Sequence, residues 1–217
     1  MDVELNGTRI HWQDIGAGRR CPVVLLHGFP FSHAMWAPQI EAIQPHRRVI
    51  APDVRGLGRS EVGDGQFTVE LFIDDLLALL DHLRLERVIL AGLSMGGYIA
   101  LRAVERHPER VAGLVLCDTK SEADGDEAKV KRAAAIRDVK ARGVGVFAEA
   151  FVKGVFALQT FERQPALVEA AEDLIRANSP LGIAGCLLAM AARTDTTASL
   201  GRICVPTLVL VGEHDSL

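Results

Sequence analysis

Five short, uninterrupted apolar runs constrain this chain more than any other feature: residues 22–26, 49–51, 88–91, 111–117 and 207–211. A strand that is apolar at every position has no side for water, so it belongs in a parallel sheet covered on both faces. Helical segments separate the runs. The clearest spans residues 69–84, where Val69, Phe72, Ile73, Leu76, Leu77, Leu80 and Leu83 share one face and Asp74, Asp75, Asp81 and Arg84 the other. A second helix is predicted over Met95–Arg106. Strand and helix in alternation predict the α/β class, a mostly parallel doubly wound sheet. Ahead of it, residues 3–15 read as two short strands about Asn6-Gly7, a dipeptide that accepts the positive φ of a hairpin turn, so an antiparallel edge should open the sheet.

The pattern breaks after Asp118. Residues 121–198 carry no strand signal, only helical stretches rich in Ala, Glu, Lys and Arg, punctuated by Gly143, Gly154, Pro165 and Pro180. About four short helices are expected, the last starting at Ser179-Pro180. Strand character resumes over residues 203–211. The expected organisation is a first part of the core over 1–119, a helical cap inserted over 120–198, and a final core strand with its loop over 199–217.

Composition narrows the partners. The chain has 217 residues, 49% of them hydrophobic, enough for one buried core with a small appended subdomain. A net charge of -4 with both signs interspersed offers no basic stripe, so nucleic acid is not an expected partner. Met1, Asp2, Val3 and Glu4 open no signal peptide, and no apolar run approaches the ~20 residues of a membrane span, so no membrane association and a cytoplasmic location are expected. Cys21, Cys117, Cys186 and Cys204 lie far apart without a CxxC pair and read as buried free thiols, not as a disulfide framework or metal site.

Gly92-Leu93-Ser94-Met95-Gly96 is a G-x-S-x-G at the junction of a predicted strand and a predicted helix. That setting demands a turn so tight that the serine takes strained backbone angles, with flanking glycines leaving room for neighbouring backbone. Ser94 is therefore the candidate nucleophile, against the alternative of a structural serine at a helix N-terminus. A serine nucleophile needs an oxyanion hole, with one donor from the residue after the nucleophile and one from the loop after an earlier strand. The backbone amides of Met95 and Phe29 occupy those positions; otherwise His27-Gly28-Phe29-Pro30 is an ordinary strand-ending turn. Gly16-Ala17-Gly18 and Gly56-Leu57-Gly58 lack a third glycine and the Lys-Ser/Thr of a phosphate loop, which excludes a nucleotide site on those grounds. Asp53 and Arg55 are expected to fix the loop at Gly56 and Gly58 by local polar contacts.

In order along the chain, His27-Gly28-Phe29-Pro30, Asp53-Val54-Arg55-Gly56-Leu57-Gly58-Arg59-Ser60, Gly92 to Gly97 and Val211-Gly212-Glu213-His214-Asp215 resemble the motifs of α/β-hydrolases. Within that superfamily the chain is similar to capped hydrolases such as 3-oxoadipate enol-lactonases, small carboxylesterases and cofactor-free perhydrolases. The resemblance implies hydrolysis of a small-molecule ester or lactone through an acyl-serine, with no metal and no organic cofactor. A serine at this turn argues against haloalkane dehalogenase or epoxide hydrolase chemistry, which uses an aspartate there. The chain order Ser, Asp, His of the fold points to Asp215 as the triad acid, with Asp118 the alternative. The family's histidine follows the acid after one more strand, and none of His11, His27, His33, His46, His82, His107 or His214 has that spacing. The expectation is thus a C-terminally truncated chain, lacking the last strand and helix and weak or inactive alone, possessing an unpaired apolar edge at residues 207–211 and completed by a missing C-terminal segment. The rival expectation is a non-catalytic binding protein on the same fold. His27, Gly28, Phe31 and Trp36, beside Phe29, Met35 and Met95, are expected to line a mostly apolar substrate pocket.

Overall fold

A computed structural model of the chain describes residues 1–18, 20–213 and 215. Seven strands form one sheet in the order β1-β2-β4-β3-β5-β6-β7. β1 (Asp2–Leu5) and β2 (Thr8–Ile15) make the expected hairpin, with Asn6 at φ 48° and Gly7 at φ 71° in its turn. β2 then runs antiparallel to β4 (Val49–Pro52), pairing Ile15 with Val49. The remaining neighbours are parallel: β3 (Val23–Leu26), β5 (Val88–Leu93), β6 (Val111–Cys117) and β7 (Thr207–Leu210).

Every residue of β3 is buried, because alternate side chains serve two different cores. Val24 and Leu26 pack with α2 (Val69–His82) and α3 (Met95–Arg106) on one face. Val23 and Leu25 pack with Trp36 and Ile40 on the other. The second face is covered by a 3-10 turn (His33–Trp36) and α1 (Ala37–Ile43), a short helix that the apolar periodicity did not reveal. α2 begins at the N-cap Thr68, whose side chain accepts the Leu71 N–H, and stops at His82, short of the expected Arg84, which sits at φ 55°.

Between β6 and β7 the chain is helical, as expected, but its first helix is not short. α4 runs over Asp126–Val155, bent at Gly143, where φ is 83° and ψ is 170°. It is followed by α5 (Leu158–Arg163), α6 (Pro165–Arg176) and α7 (Pro180–Ala191). Ser179 caps α7 by accepting the Leu181 N–H, and Pro180 takes the first helical position, where its missing N–H costs nothing. A 3-10 turn (Thr197–Arg202) leads into β7, so strand structure starts at Thr207 and not at 203.

β7 is the outermost strand among the described residues, and all four of its residues are exposed, Leu208 by 52% and Val209 by 66%. All four cysteines are free thiols, yet only Cys186 is buried; Cys21 and Cys117 are half-buried and Cys204 is exposed, which corrects the expectation of burial. Among the described residues no single helix is long and apolar enough to cross a membrane.

Candidate active site

The strand register brings the chemistry-bearing loops to one edge of the sheet. Leu26 is level with Gly92, Leu93 with Cys117, and Cys117 with Leu210. The loops that follow β3, β5, β6 and β7 therefore leave side by side. β4 and β5 flank β3 on opposite sides, so the chain changes winding direction there, which opens a crevice at the carboxyl ends of the strands. Phe29 and Ser94 lie on the two loops bordering that crevice.

Ser94 sits at φ 49° and ψ -109°, between β5 and α3. An L residue holds such angles at a cost of about 1 to 3 kcal/mol, tolerated where the surroundings over-determine them. Here they do. The Ser94 N–H donates to Cys117 O at 2.9 Å, and Ser94 O accepts from the N–H groups of Gly97 (2.9 Å) and Tyr98 (3.1 Å) and from the Thr119 hydroxyl (2.9 Å). A Cβ on Gly92 would overlap the Gly96 carbonyl, and one on Gly96 would overlap the Leu26 carbonyl oxygen. The spacing of glycines around the serine is thus a steric requirement of backbone passing over backbone.

Among the described residues neither the Phe29 N–H nor the Met95 N–H has an acceptor, although both residues are buried. Met95 opens α3, where the helix dipole adds partial positive charge. The loop bearing Phe29 is closed by Phe31 N–H to Gly28 O at 2.9 Å and includes a cis Phe29-Pro30 bond.

The two candidate acids meet. Asp118, at φ 40°, follows β6, and its Oδ1 accepts the Gly212 N–H at 2.7 Å. Asp215 N–H in turn donates to Gly212 O at 3.1 Å. Burial, and then the hydrogen-bonded carboxyl of Asp215 with its charge, hold the Asp118 pKa above the usual carboxylate value, against the opposing effect of the Gly212 N–H. The sequence weighed Asp118 and Asp215 as alternatives; the structure makes them neighbours.

Residues 22–217 match the family model of the alpha/beta hydrolase fold. The chain belongs to the α/β-hydrolase fold family. It is 39% identical to a thermophilic esterase from Thermogutta terrifontis, with a TM-score of 0.93 over 98% of this chain and 80% of that one. It is 31% identical to the enol-lactonase from Burkholderia xenovorans LB400, with a TM-score of 0.92 over 99% and 82%. In sequence, 3-oxoadipate enol-lactonase 2 of Acinetobacter baylyi is 28% identical over 99% of this chain and 77% of its own length. The α/β-hydrolase fold, the kinship with esterases and lactonases, and hydrolase character in general follow.

Within this hydrolase fold, two expected pocket residues are placed elsewhere. His27 is fully buried; its Nε2 accepts the Val54 N–H at 2.9 Å and its Nδ1 donates to Gly28 O at 3.0 Å. Burial pushes its pKa down, and the neutral ring staples the loops after β3 and β4 together, so it is not a pocket wall. Trp36 packs with Val23, Leu25 and Val49 in the core beneath α1. The Phe31 ring lies 6.0 Å from that of Phe151 of α4, while Phe29 contacts Phe147 and Phe151 edge-on at 6.1 and 5.9 Å. Gly28 presses against Leu93, where an added Cβ would come within 2.7 Å of a methyl group.

Among the described residues no imidazole is hydrogen-bonded to Ser94. His11 Nδ1 pairs with Asp2 (2.8 Å), His33 Nδ1 with Asp53 (2.7 Å), His107 lies by Glu109, and His82 meets the edge of Trp12. His214 lies outside the described residues. Donor atoms of His11, His33 and Asp53 fall within 4.8 Å of one another, the one group of described residues so spaced. Both Asp53 oxygens are already taken, Oδ1 by the His33 ring and N–H and Oδ2 by the Arg59 N–H. These contacts outweigh burial and hold Asp53 below the usual carboxylate range. Arg55 reaches beyond its own loop, contrary to expectation, and forms a buried two-pronged ion pair with Asp75 of α2 at 2.6 Å on each arm.

Sequence reasoning passed over Asn178. This buried amide donates from Nδ2 to Pro30 O (2.7 Å), Leu174 O (3.0 Å) and Ile175 O (3.3 Å), and its Oδ1 accepts the Gly58 N–H (2.7 Å). No motif signals it, because its partners lie up to 148 residues away.

Proposed function

We propose that this protein hydrolyses a carboxylic ester or lactone through an acyl-serine intermediate. Ser94 Oγ attacks the carbonyl carbon, and the displaced electron pair settles on the carbonyl oxygen between the N–H groups of Phe29 and Met95. Collapse of the tetrahedral adduct expels the alkoxide, which takes a proton. Water then repeats the attack on the acyl-serine and releases the acid. The single observation that carries the reading is the forced conformation of Ser94, φ 49°, beside two buried backbone donors with no acceptor of their own among the described residues.

In this reading an imidazole from outside the described residues accepts the Ser94 proton, and Asp215, with Asp118 beside it, holds that ring in one tautomer. The rings of Phe29, Phe31, Phe147 and Phe151 favour a substrate whose acyl or alcohol part is apolar. Peroxide in place of water would yield a peracid from the same acyl-serine. That no described imidazole is hydrogen-bonded to Ser94 supports one competing reading, a non-catalytic binding protein on the same fold.

A fluorophosphonate probe separates the two. Labelling of the 217-residue chain or of the product of the complete gene, abolished in Ser94→Ala, is the expected result. If neither is labelled while both are folded, the acyl-serine reading is wrong and the binding protein takes its place.

A further inference from the structure

We propose that Asn178, a cap residue, is the positioning residue of the oxyanion turn, so that seating the cap is what sets the Phe29 donor. The inference rests on the role of Phe29 given above. Its amide orientation is fixed by its partners: the Gly58 N–H can only donate, so Oδ1 faces it, and Nδ2 is left facing the carbonyls of Pro30, Leu174 and Ile175. One side chain therefore ties the turn after β3, the loop after β4 and the C-terminus of α6.

The turn needs such a tie. Pro30 has no N–H, and the Phe29 N–H must stay unbonded if it is to receive an oxyanion. Among the described residues, the only backbone bond closing the turn between His27 and Phe31 is Phe31 N–H to Gly28 O. The His27 ring ties the Gly28 carbonyl to the loop after β4, and the Pro30 carbonyl, bonded to Asn178, is the handle by which the cap holds the turn. The Phe29 ring is held from the same direction, by Phe147 and Phe151 of α4. Cap helices thus grip both the residue that donates and the carbonyl next to it. An oxyanion donor works only within a few tenths of an ångström of its position, so a change at Asn178 acts on the rate of attack more than on substrate binding.

Two variants separate the arms of the amide. Asn178→Asp keeps an acceptor for the Gly58 N–H and turns a second acceptor against three carbonyls; Asn178→Ala removes both arms. Hydrogen exchange followed by mass spectrometry reads the turn without any need for activity. In Asn178→Asp, exchange across residues 28–35 should rise at least about tenfold with residues 56–60 unchanged, whereas in Asn178→Ala both segments should speed up. Where Ser94-dependent labelling is present, its maximal rate should fall about 10- to 100-fold in Asn178→Asp, while the probe concentration giving half that rate moves less than about threefold.

Unchanged exchange at 28–35, or acceleration of all segments alike in both variants, overturns the proposal. Loosening of the turn with no loss of labelling rate also overturns it, since the turn is then held but not used. If neither the wild-type chain nor the product of the complete gene is labelled although exchange responds as expected, the acyl-serine reading fails and Asn178 stands only as the clamp of the turn.

Discussion

The turn bearing Ser94 and the junction that seats the cap are both made by backbone passing against backbone, yet they draw on different information. At the Ser94 turn the glycines that permit the approach, Gly92 and Gly96, lie two residues to either side of the serine. At the junction the approach joins Gly56 to Gly182, and Asn178 reaches Pro30 across 148 residues and Gly58 across 120. The first is a local device that a short motif can announce. The second exists only after two separately folded stretches have met, and it leaves no motif.

The contrast can be tested by substitution. Gly96→Ala should have the largest effect, because its Cβ would overlap the Leu26 carbonyl in the middle of the sheet, where nothing can give way: a loss of roughly 5 kcal/mol or failure to fold, read by urea denaturation. Arg55→Ala strands the buried Asp75 carboxylate and should cost about 3 to 4 kcal/mol in the same assay. Gly182→Ala meets the Gly56 carbonyl just as severely, and the expected loss of about 1 to 3 kcal/mol presumes relief by a shift of α7 as a body. Equal losses from Gly96→Ala and Gly182→Ala would erase the distinction between a rigid core turn and a movable cap.

Acid titration sharpens the same comparison. The Asp118 pKa is raised on folding, so the native state holds its proton more tightly than the unfolded chain does. The benefit is complete below the ordinary value of 3.8 and is lost as pH rises through the raised one. Asp118→Asn keeps an acceptor for Gly212 and removes the charge, so its melting temperature should exceed wild type at neutral pH and lose that advantage below pH 3.8. Asp124, just before α4, has the opposite sign: burial raises its pKa, but the ion pairs with Arg132 and Arg193 outweigh that and lower it. Its contribution is present above 3.8 and disappears as pH falls through its depressed value.

The smallest effect is expected from the thiols. Cys204 is exposed and should react at once with a disulfide reagent, while Cys186, on the buried face of α7 with its pKa pushed up by burial, should react only on unfolding. Early reaction of Cys186 in the native protein would show α7 lifting from the core as a unit.

Legibility followed the range of the interactions. β6 and α3 end where the apolar runs and periodicity place them, and Ser179-Pro180 starts α7 as its capping chemistry requires. α1 was unreadable because a seven-residue helix offers too few turns for periodicity to show. His27 and Trp36 are expected to line a pocket, but His27 turns inward to accept the Val54 N–H and Trp36 packs into the core beneath α1, partners that nothing in the sequence announces. Arg55 was read as a local contact because its partner, Asp75, is 20 residues away on α2.

By itself the sequence determined the α/β order of elements, the site of the helical insertion and the strained turn at Ser94, since each rests on apolar period or on the steric demands of adjacent residues. Only the tertiary structure decided that Asp118 and Asp215 share one corner, that His27 is a staple, and that Asn178 links the cap to the Phe29 turn. Those outcomes depend on which strand ends are brought level and which loops they carry together, and hydrogen bonds between such loops have no spacing along the chain from which to be read.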